Sequence, residues 1–115
     1  MATLTTGTRI FGPLCATGAV TGTGASIYIQ LDFKPIKVEL YNIDDAGGQT
    51  QIQWSAAMPD ASGIKIIDSG AGVTNALYIS TLGVTPGSGG FTIGADTDMN
   101  VAGESIVWVA WRSAR

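Results

Sequence analysis

SIYIQLDFKPIKVELYNIDDAGGQTQIQW, residues 26–54, contains three short runs in which the side chains alternate between two kinds. Apolar or β-branched residues take every second position in 27–31, 36–40 and 50–54, with polar or tyrosine neighbours between them. A period of two is typical of β-strands. The turn-forming sequence NIDDAGG, at 42–48, separates the second run from the third. We therefore predict a β-hairpin made of residues 36–41 and 49–54.

Shorter extended runs continue the same pattern toward the end of the chain. Residues 64–67, 76–81 and 91–93 are predicted strands, and clusters of Gly, Pro, Asp and Ser separate them. Residues 86–90, PGSGG, are predicted to form a loop. No stretch of helical length carries the 3.6-residue period. We predict an all-β protein, a small antiparallel β-sandwich or barrel that spans residues 26–115.

The last predicted strand, SIVWVAWR at residues 105–112, is apolar on both faces. Val107, Val109 and Trp111 share one face, and the other face includes Trp108. Such a strand is expected at the centre of a sheet or beneath another subunit. We predict that Trp108 and Trp111 take part in an interface.

Residues 1–25 form an N-terminal arm rich in Gly, Thr and Ala. The largest apolar anchors near its turn at Gly12-Pro13 are Ile10, Phe11 and Leu14. This content is too small to offset the backbone entropy of ordering the arm, about 1–2 kcal/mol per residue. We expect a flexible arm, or an arm ordered by another subunit or a capsid, with these three residues as interface anchors.

Low charge limits the classes of function. Of 115 residues, 13% are charged, against about 25% in an average domain. The net charge is −3 and the six basic residues are scattered, so we expect neither a nucleic-acid partner nor an anionic membrane surface. A weakly charged surface has little repulsion between copies, and the chain is expected to associate with itself. No secretory signal or membrane-spanning run is visible.

The side chains that most enzymes use are scarce. There is no histidine, and the one cysteine, Cys15, is expected to pack as a small apolar residue. Without a disulfide, the chain suits folding in a reducing cytoplasm. Carboxylate pairs occur at Asp44-Asp45 and at Asp96 with Asp98, in turn-like sequence where they usually bind their own backbone. We expect no enzyme activity.

Two further patterns offer ligand sites, and a structural role is favoured for each. Residues 96–100, DTDMN, begin like a calcium loop, but the sixth position is Val101 and the twelfth is Val107. Six Trp and Tyr side chains offer a sugar-stacking platform, although core and interface roles are commoner. We predict no metal and no cofactor. The aromatic residues in question are Tyr28, Tyr41, Trp54, Tyr78, Trp108 and Trp111.

Three segments resemble small virion proteins of tailed bacteriophages. FKPIKVELYN, at 33–42, is similar to an F-K-P-x-x-V-x-x-x-N strand of that group, and GFTIGADTDMNVAGESIVWVAWR, at 90–112, is similar to its closing segment. The stretch from Gln53-Trp54 through Met58 to Gly63 is similar to its tryptophan strand and the following loop. The likeness spans residues 33–112 and implies a phage structural β-protein, with no catalytic residues to carry over.

Two functions follow from the resemblance and the composition. In the first, the chain is a capsid decoration (cement) protein that binds the outer surface of the shell as a homo-oligomer, most simply a trimer. Its partners are then its own copies and the major capsid protein, and it is made in the host cytoplasm and located in the virion. In the second, it is a tail-associated or host-surface carbohydrate-binding β-module.

Overall fold

The computed structural model describes residues 2–3, 8–44, 49–68 and 74–112, and these form ten β-strands without a helix. Nothing in these ranges is a helix long and apolar enough to cross a membrane. The strands are β1 (Ala2–Thr3), β2 (Thr8–Phe11), β3 (Cys15–Thr21), β4 (Ile27–Gln30), β5 (Pro35–Asn42), β6 (Gln49–Ser55), β7 (Ser62–Asp68), β8 (Thr74–Gly87), β9 (Gly90–Ile93) and β10 (Ser105–Arg112).

All ten strands belong to one sheet in the order β1-β4-β9-β8-β7-β6-β5-β10-β3-β2. Nine strands are antiparallel to their neighbours and curl into a half-barrel, whereas β1 lies parallel to β4. The predicted all-β, antiparallel architecture is confirmed. The predicted hairpin is also confirmed, since β5 and β6 pair from Asn42↔Thr50 to Lys37↔Ser55.

The core lies on the concave face of the sheet. Leu40 stands opposite both Ile52 and Trp108, and none of the three has more than 1% of its surface exposed. The Trp108 ring meets Phe91 edge-on, with centroids 5.6 Å apart and planes at 73°. The alternation noted in the sequence therefore sets which side chains are packed and which face outward, except at Ile36, which is exposed where the register between β5 and β10 shifts.

β10 occupies the centre of the sheet, between β5 and β3. Ile106, Trp108 and Ala110 point into the core, while Val107 and Val109 lie half-buried on the convex face. The prediction that this strand is central is confirmed. A central strand is flanked by side chains from two neighbours, so apolar residues on its outer face are partly covered without a partner.

β3 differs from the sequence prediction, which placed residues 15–21 in the arm. It pairs with β10 along its whole length, from Cys15↔Trp111 to Thr21↔Ser105. Its inward positions are Ala16, Gly18 and Val20, and such small residues give a weak hydrophobic pattern. Gly18 lies directly opposite Trp108, so the large indole faces a position that has no side chain.

β8 is longer than predicted and is bent near its middle. The register jumps from Gly63↔Ile79 to Ser62↔Val84, so β8 pairs first with β7 and then with β9. Leu82, inside this irregularity, has φ = 64°, a left-handed conformation that costs a side-chain-bearing residue energy. A Cβ on the adjacent Gly83 would lie 2.1 Å from the Ser62 carbonyl oxygen, so only glycine fits there.

Candidate functional surfaces

The predicted arm residues lie together at one edge of the sheet. Ile10 and Phe11 belong to β2, which pairs with β3 on one side only, and Leu14 is in the turn that joins the two strands. Their exposed fractions are 60%, 47% and 53%. We call Ile10, Phe11 and Leu14 the β2 edge. Large apolar groups in such exposed positions, beside unpaired strand backbone, favour contact with another protein chain.

A second group of exposed apolar side chains lies on the hairpin of β7 and β8. Ile64 stands opposite Tyr78 on the convex side, whereas Leu77 stands opposite the inward-pointing Lys65 and so belongs to the other face, and Leu82 is in the bend. We call Ile64 and Tyr78 the hairpin patch. The strand β7 is the fifth from β2 in the sheet order, so the two apolar groups lie on different parts of the sheet. Sequence reasoning missed this patch because its strands alternate like core strands.

The two tryptophans predicted for an interface have different positions. Trp111 is half-buried on the convex face, at the level of Lys37 and Cys15 in the neighbouring strands. Trp108 is fully buried in the core and offers no surface to a partner. Its predicted interface role is therefore replaced by a packing role, because the inward face of β10 meets Leu40 and Phe91.

Of the aromatic residues considered as a sugar platform, Trp54 and Trp108 are buried. Trp54 donates its Nε1–H to the Pro59 carbonyl oxygen at 3.1 Å, which fixes the ring within the fold. Tyr28, Tyr41, Tyr78 and Trp111 point to the convex side by their register and burial. The structure thus separates the six rings into core members and surface members.

A short polar network surrounds Trp111 on the convex face. Lys37 Nζ lies 5.1 Å from the centroid of the Trp111 ring and 3.3 Å from Glu39 Oε2. The Tyr41 hydroxyl donates a hydrogen bond to Glu39. This bond, with burial and the nearby negative charge, raises the pKa of Tyr41 to about 12. The network orders the outer side chains of β5 and supplies both charged groups and a ring.

The acidic loop that resembled a calcium site is bound by a lysine. Lys65 Nζ lies 2.9 Å from Asp96 Oδ2 and 2.6 Å from Asp98 Oδ2. Asp96 Oδ1 also accepts hydrogen bonds from the backbone N–H groups of Asp98 and Met99. Among residues 2–3, 8–44, 49–68 and 74–112, no three His, Cys, Asp or Glu side chains are grouped to hold a metal ion.

Lys65 is buried and was not identified from the sequence. Burial lowers its pKa, but the hydrogen bonds to Asp98 and Asp96 outweigh burial, and the pKa is raised overall. The alternation of side chains along β7 could have identified Lys65 as inward-pointing. Lys65 stands opposite the buried Ile52 of β6, and residues directly opposite each other share a face of the sheet.

Two buried amides hold the acidic loop against the sheet. Asn42 Nδ2 donates to the carbonyl oxygens of Asp98 and Met99 and to Glu104 Oε1. Asn100 bonds both to the 23–25 segment and to Gly94, and Met99 between them is fully buried. The loop is thus a packed part of the fold.

Asp44 and Cys15, two other residues weighed in the sequence, have structural surroundings. Asp44 Oδ2 accepts a hydrogen bond from the backbone N–H of Ser105 at 3.0 Å, and Asp45 lies outside the described residues. Cys15 is half-buried as the first residue of β3. Comparisons with family models, with curated proteins and with solved structures found no match.

Proposed function

We propose that the chain is a structural virion protein that decorates and stabilises a phage capsid by binding its outer surface as an oligomer. The observation that carries the proposal is the presence of two separate exposed apolar surfaces, the β2 edge and the hairpin patch, on a protein with few charges. A decoration protein needs two kinds of contact, one with its own copies and one with the shell.

The two surfaces suit different contacts. The β2 edge combines unpaired strand backbone with apolar side chains, which suits the addition of a strand from another chain. The hairpin patch presents Ile64 and Tyr78, which stand directly opposite each other on the convex face and are 37% and 52% exposed. An exposed tyrosine beside an aliphatic side chain on one face suits docking on a preformed surface. We assign the hairpin patch to the shell and the β2 edge to the copies.

Purified virions test the proposal directly. We expect the copy number of the chain in the particle to be close to that of the major capsid protein. A few copies per particle would instead point to the tail and would overturn the decoration function.

Variants then test the assigned shell contact. Particles that lack the protein are mixed with the wild type, with Ile64→Asn/Tyr78→Asn, or with Ile43→Ser, and the bound protein is measured after sedimentation. We expect the hairpin variant to lose binding and the Ile43 variant to keep it, because Ile43 is equally exposed but lies outside both surfaces. Equal binding by all three would remove the hairpin patch from the shell contact.

A carbohydrate-binding role is favoured by one observation, the ring of Trp111 beside Glu39 and Lys37 on the convex face. Planar rings with neighbouring hydrogen-bonding groups are suited to sugars. The Lys37 ammonium group already lies over this ring. Binding to a glycan array that is abolished by Trp111→Ala would establish this role in place of decoration.

A further inference from the structure

The two strands nearest the start of the chain lie at opposite edges of the sheet. From β4 to β2 in the sheet order every pair is antiparallel, and β1 adds to the free side of β4. Arg9 of β2 reaches across and donates to the Gln30 carbonyl oxygen of β4 at 3.2 Å. The edge formed by β2 and the edge formed by β1 and β4 therefore approach each other.

β2 is held weakly compared with the strand beside it. It pairs with β3 through four residues, from Thr8↔Ala19 to Phe11↔Ala16. Ile10 and Phe11 are about half exposed, so docking of β2 buries little of its apolar surface. β3 keeps seven pairs with β10 and its core residues whether or not β2 is present.

The link between β2 and β3 can act as a hinge. It consists of Gly12, Pro13 and Leu14 and is closed by a hydrogen bond from Gly12 N–H to the Cys15 carbonyl oxygen at 2.7 Å, while Arg112 N–H donates to the Leu14 carbonyl oxygen at its β3 end at 2.9 Å. Proline favours extended backbone in the residue before it. A short link of this kind favours an open form in which β2 leaves its own β3.

We propose that β2 of one copy pairs with β3 of a second copy, in the register that the two strands have within one chain. The proposal rests on the oligomer of the proposed function and names the partner of the β2 edge. A second copy fits because its β3 offers the same pairing, Ile10↔Thr17 and Phe11↔Ala16, without any new contact.

Disulfide trapping tests the exchange. In a Cys15→Ser background, one chain carries Ile10→Cys and a second, longer-tagged chain carries Thr17→Cys, and the two are refolded together and oxidised. Ile10 and Thr17 are directly opposite each other across the strand pair. We expect a covalent heterodimer, and none when Ile43→Cys replaces Thr17→Cys. Absence of the Ile10–Thr17 heterodimer in a protein that is still oligomeric would overturn the exchange and leave the oligomer intact.

Hinge length gives a second test that does not depend on cysteines. A Gly-Ser-Gly insertion after Pro13 relaxes the turn, and we expect light scattering to show a shift from oligomer to monomer. The same insertion in the turn at Ser88-Gly89, between β8 and β9, serves as the control and leaves the mass unchanged. An oligomer that tolerates the hinge insertion would contradict the proposal, while binding to particles, measured separately, decides the proposed function.

Discussion

Replacing Asn100 with alanine removes a buried amide that joins two distant loops. Its Oδ1 accepts hydrogen bonds from the backbone N–H groups of Thr23 and Gly24, at 2.9 and 3.3 Å. Its Nδ2 donates to the carbonyl oxygens of Ala25 and Gly94, at 2.7 and 3.0 Å. Asn100 itself is 2% exposed. Four backbone groups therefore lose their partner when the amide is removed.

The expected loss follows from these four bonds. At about 0.5–1.5 kcal/mol each, they correspond to roughly 2–6 kcal/mol. Thr23, Gly24 and Ala25 are exposed, so water can replace the amide at three of the four groups. We therefore expect the lower part of the range, about 2–3 kcal/mol, and a fall in Tm of roughly 10 °C for a domain of this size.

Urea denaturation followed by tryptophan fluorescence measures the change. Asn75→Ala is the matched control, because Asn75 is an exposed asparagine in β8. Asn100→Asp should lose more than Asn100→Ala at neutral pH, since a buried carboxylate would face two carbonyl oxygens that now accept from the amide. A loss below about 0.5 kcal/mol in Asn100→Ala, no larger than in the control, would refute the reasoning.

The remaining predictions concern the acidic loop, alkaline pH and the bend in β8. Added calcium or a chelator should leave Tm unchanged, because Lys65 already binds Asp96 and Asp98; a marked rise with calcium would show the opposite. Lys65→Met should lower stability by about 3–5 kcal/mol by leaving a buried carboxylate unpaired, and Asp96→Asn in the same chain should restore part of it. Equal stability of the single and double variants would count against a buried ion pair. The pKa of Lys65 is raised above 10.5 and that of Tyr41 from 10.0 to about 12, so both groups hold their protons more firmly in the folded state. The contribution of these two groups to stability is complete below pH 10.0 and is lost as the pH rises through their folded pKa values. Denaturation curves measured over alkaline pH, with the wild type and with Tyr41→Phe, should show this loss. A Tyr41→Phe variant with the same alkaline profile as the wild type would contradict the role of Tyr41. Leu82→Gly should change stability by less than about 1 kcal/mol, because relief of the left-handed strain offsets the entropy of glycine. Leu82→Val should cost about 1–3 kcal/mol although valine favours strands, and a stabilised valine variant would disprove the strain.

The strands with strong alternation were predictable from the sequence, and those with small inward residues were not. β5, β6 and β10 carry large apolar side chains at every second position, so their existence follows from periodicity alone. β3 buries Ala16 and Gly18, and such small residues at inward positions resemble the composition of a loop. Its place is set by Trp108, which needs a small neighbour across the strand pair. That requirement arises from a residue far away in the chain.

The contacts between side chains were also difficult to predict from the sequence, because they depend on residues that are distant in the chain. Both faces of β10 are apolar, so the alternation of side chains along the strand could not decide whether Trp108 or Trp111 points inward. The choice depends on which face meets Leu40 and Phe91, which is a property of the curled sheet. Lys65 and Asp96 are 31 residues apart, and the sequence gives no distance between them. Ile10, Phe11 and Leu14 are exposed because they lie in or beside a short strand at the edge of the sheet, and their role as interface anchors stays a prediction.

The central position of β10 has a consequence for the time course of folding. The strand occupies the space between β3 and β5, and its contact from Trp108 to Thr17 joins residues 91 positions apart. On the ribosome, the residues of β3 and β5 are synthesised well before residues 105–112. The middle of the sheet can therefore form only after the last strand has been synthesised. Contacts of such long sequence separation slow folding. Chains that terminate before residue 105 would lack the strand that joins β3 to β5.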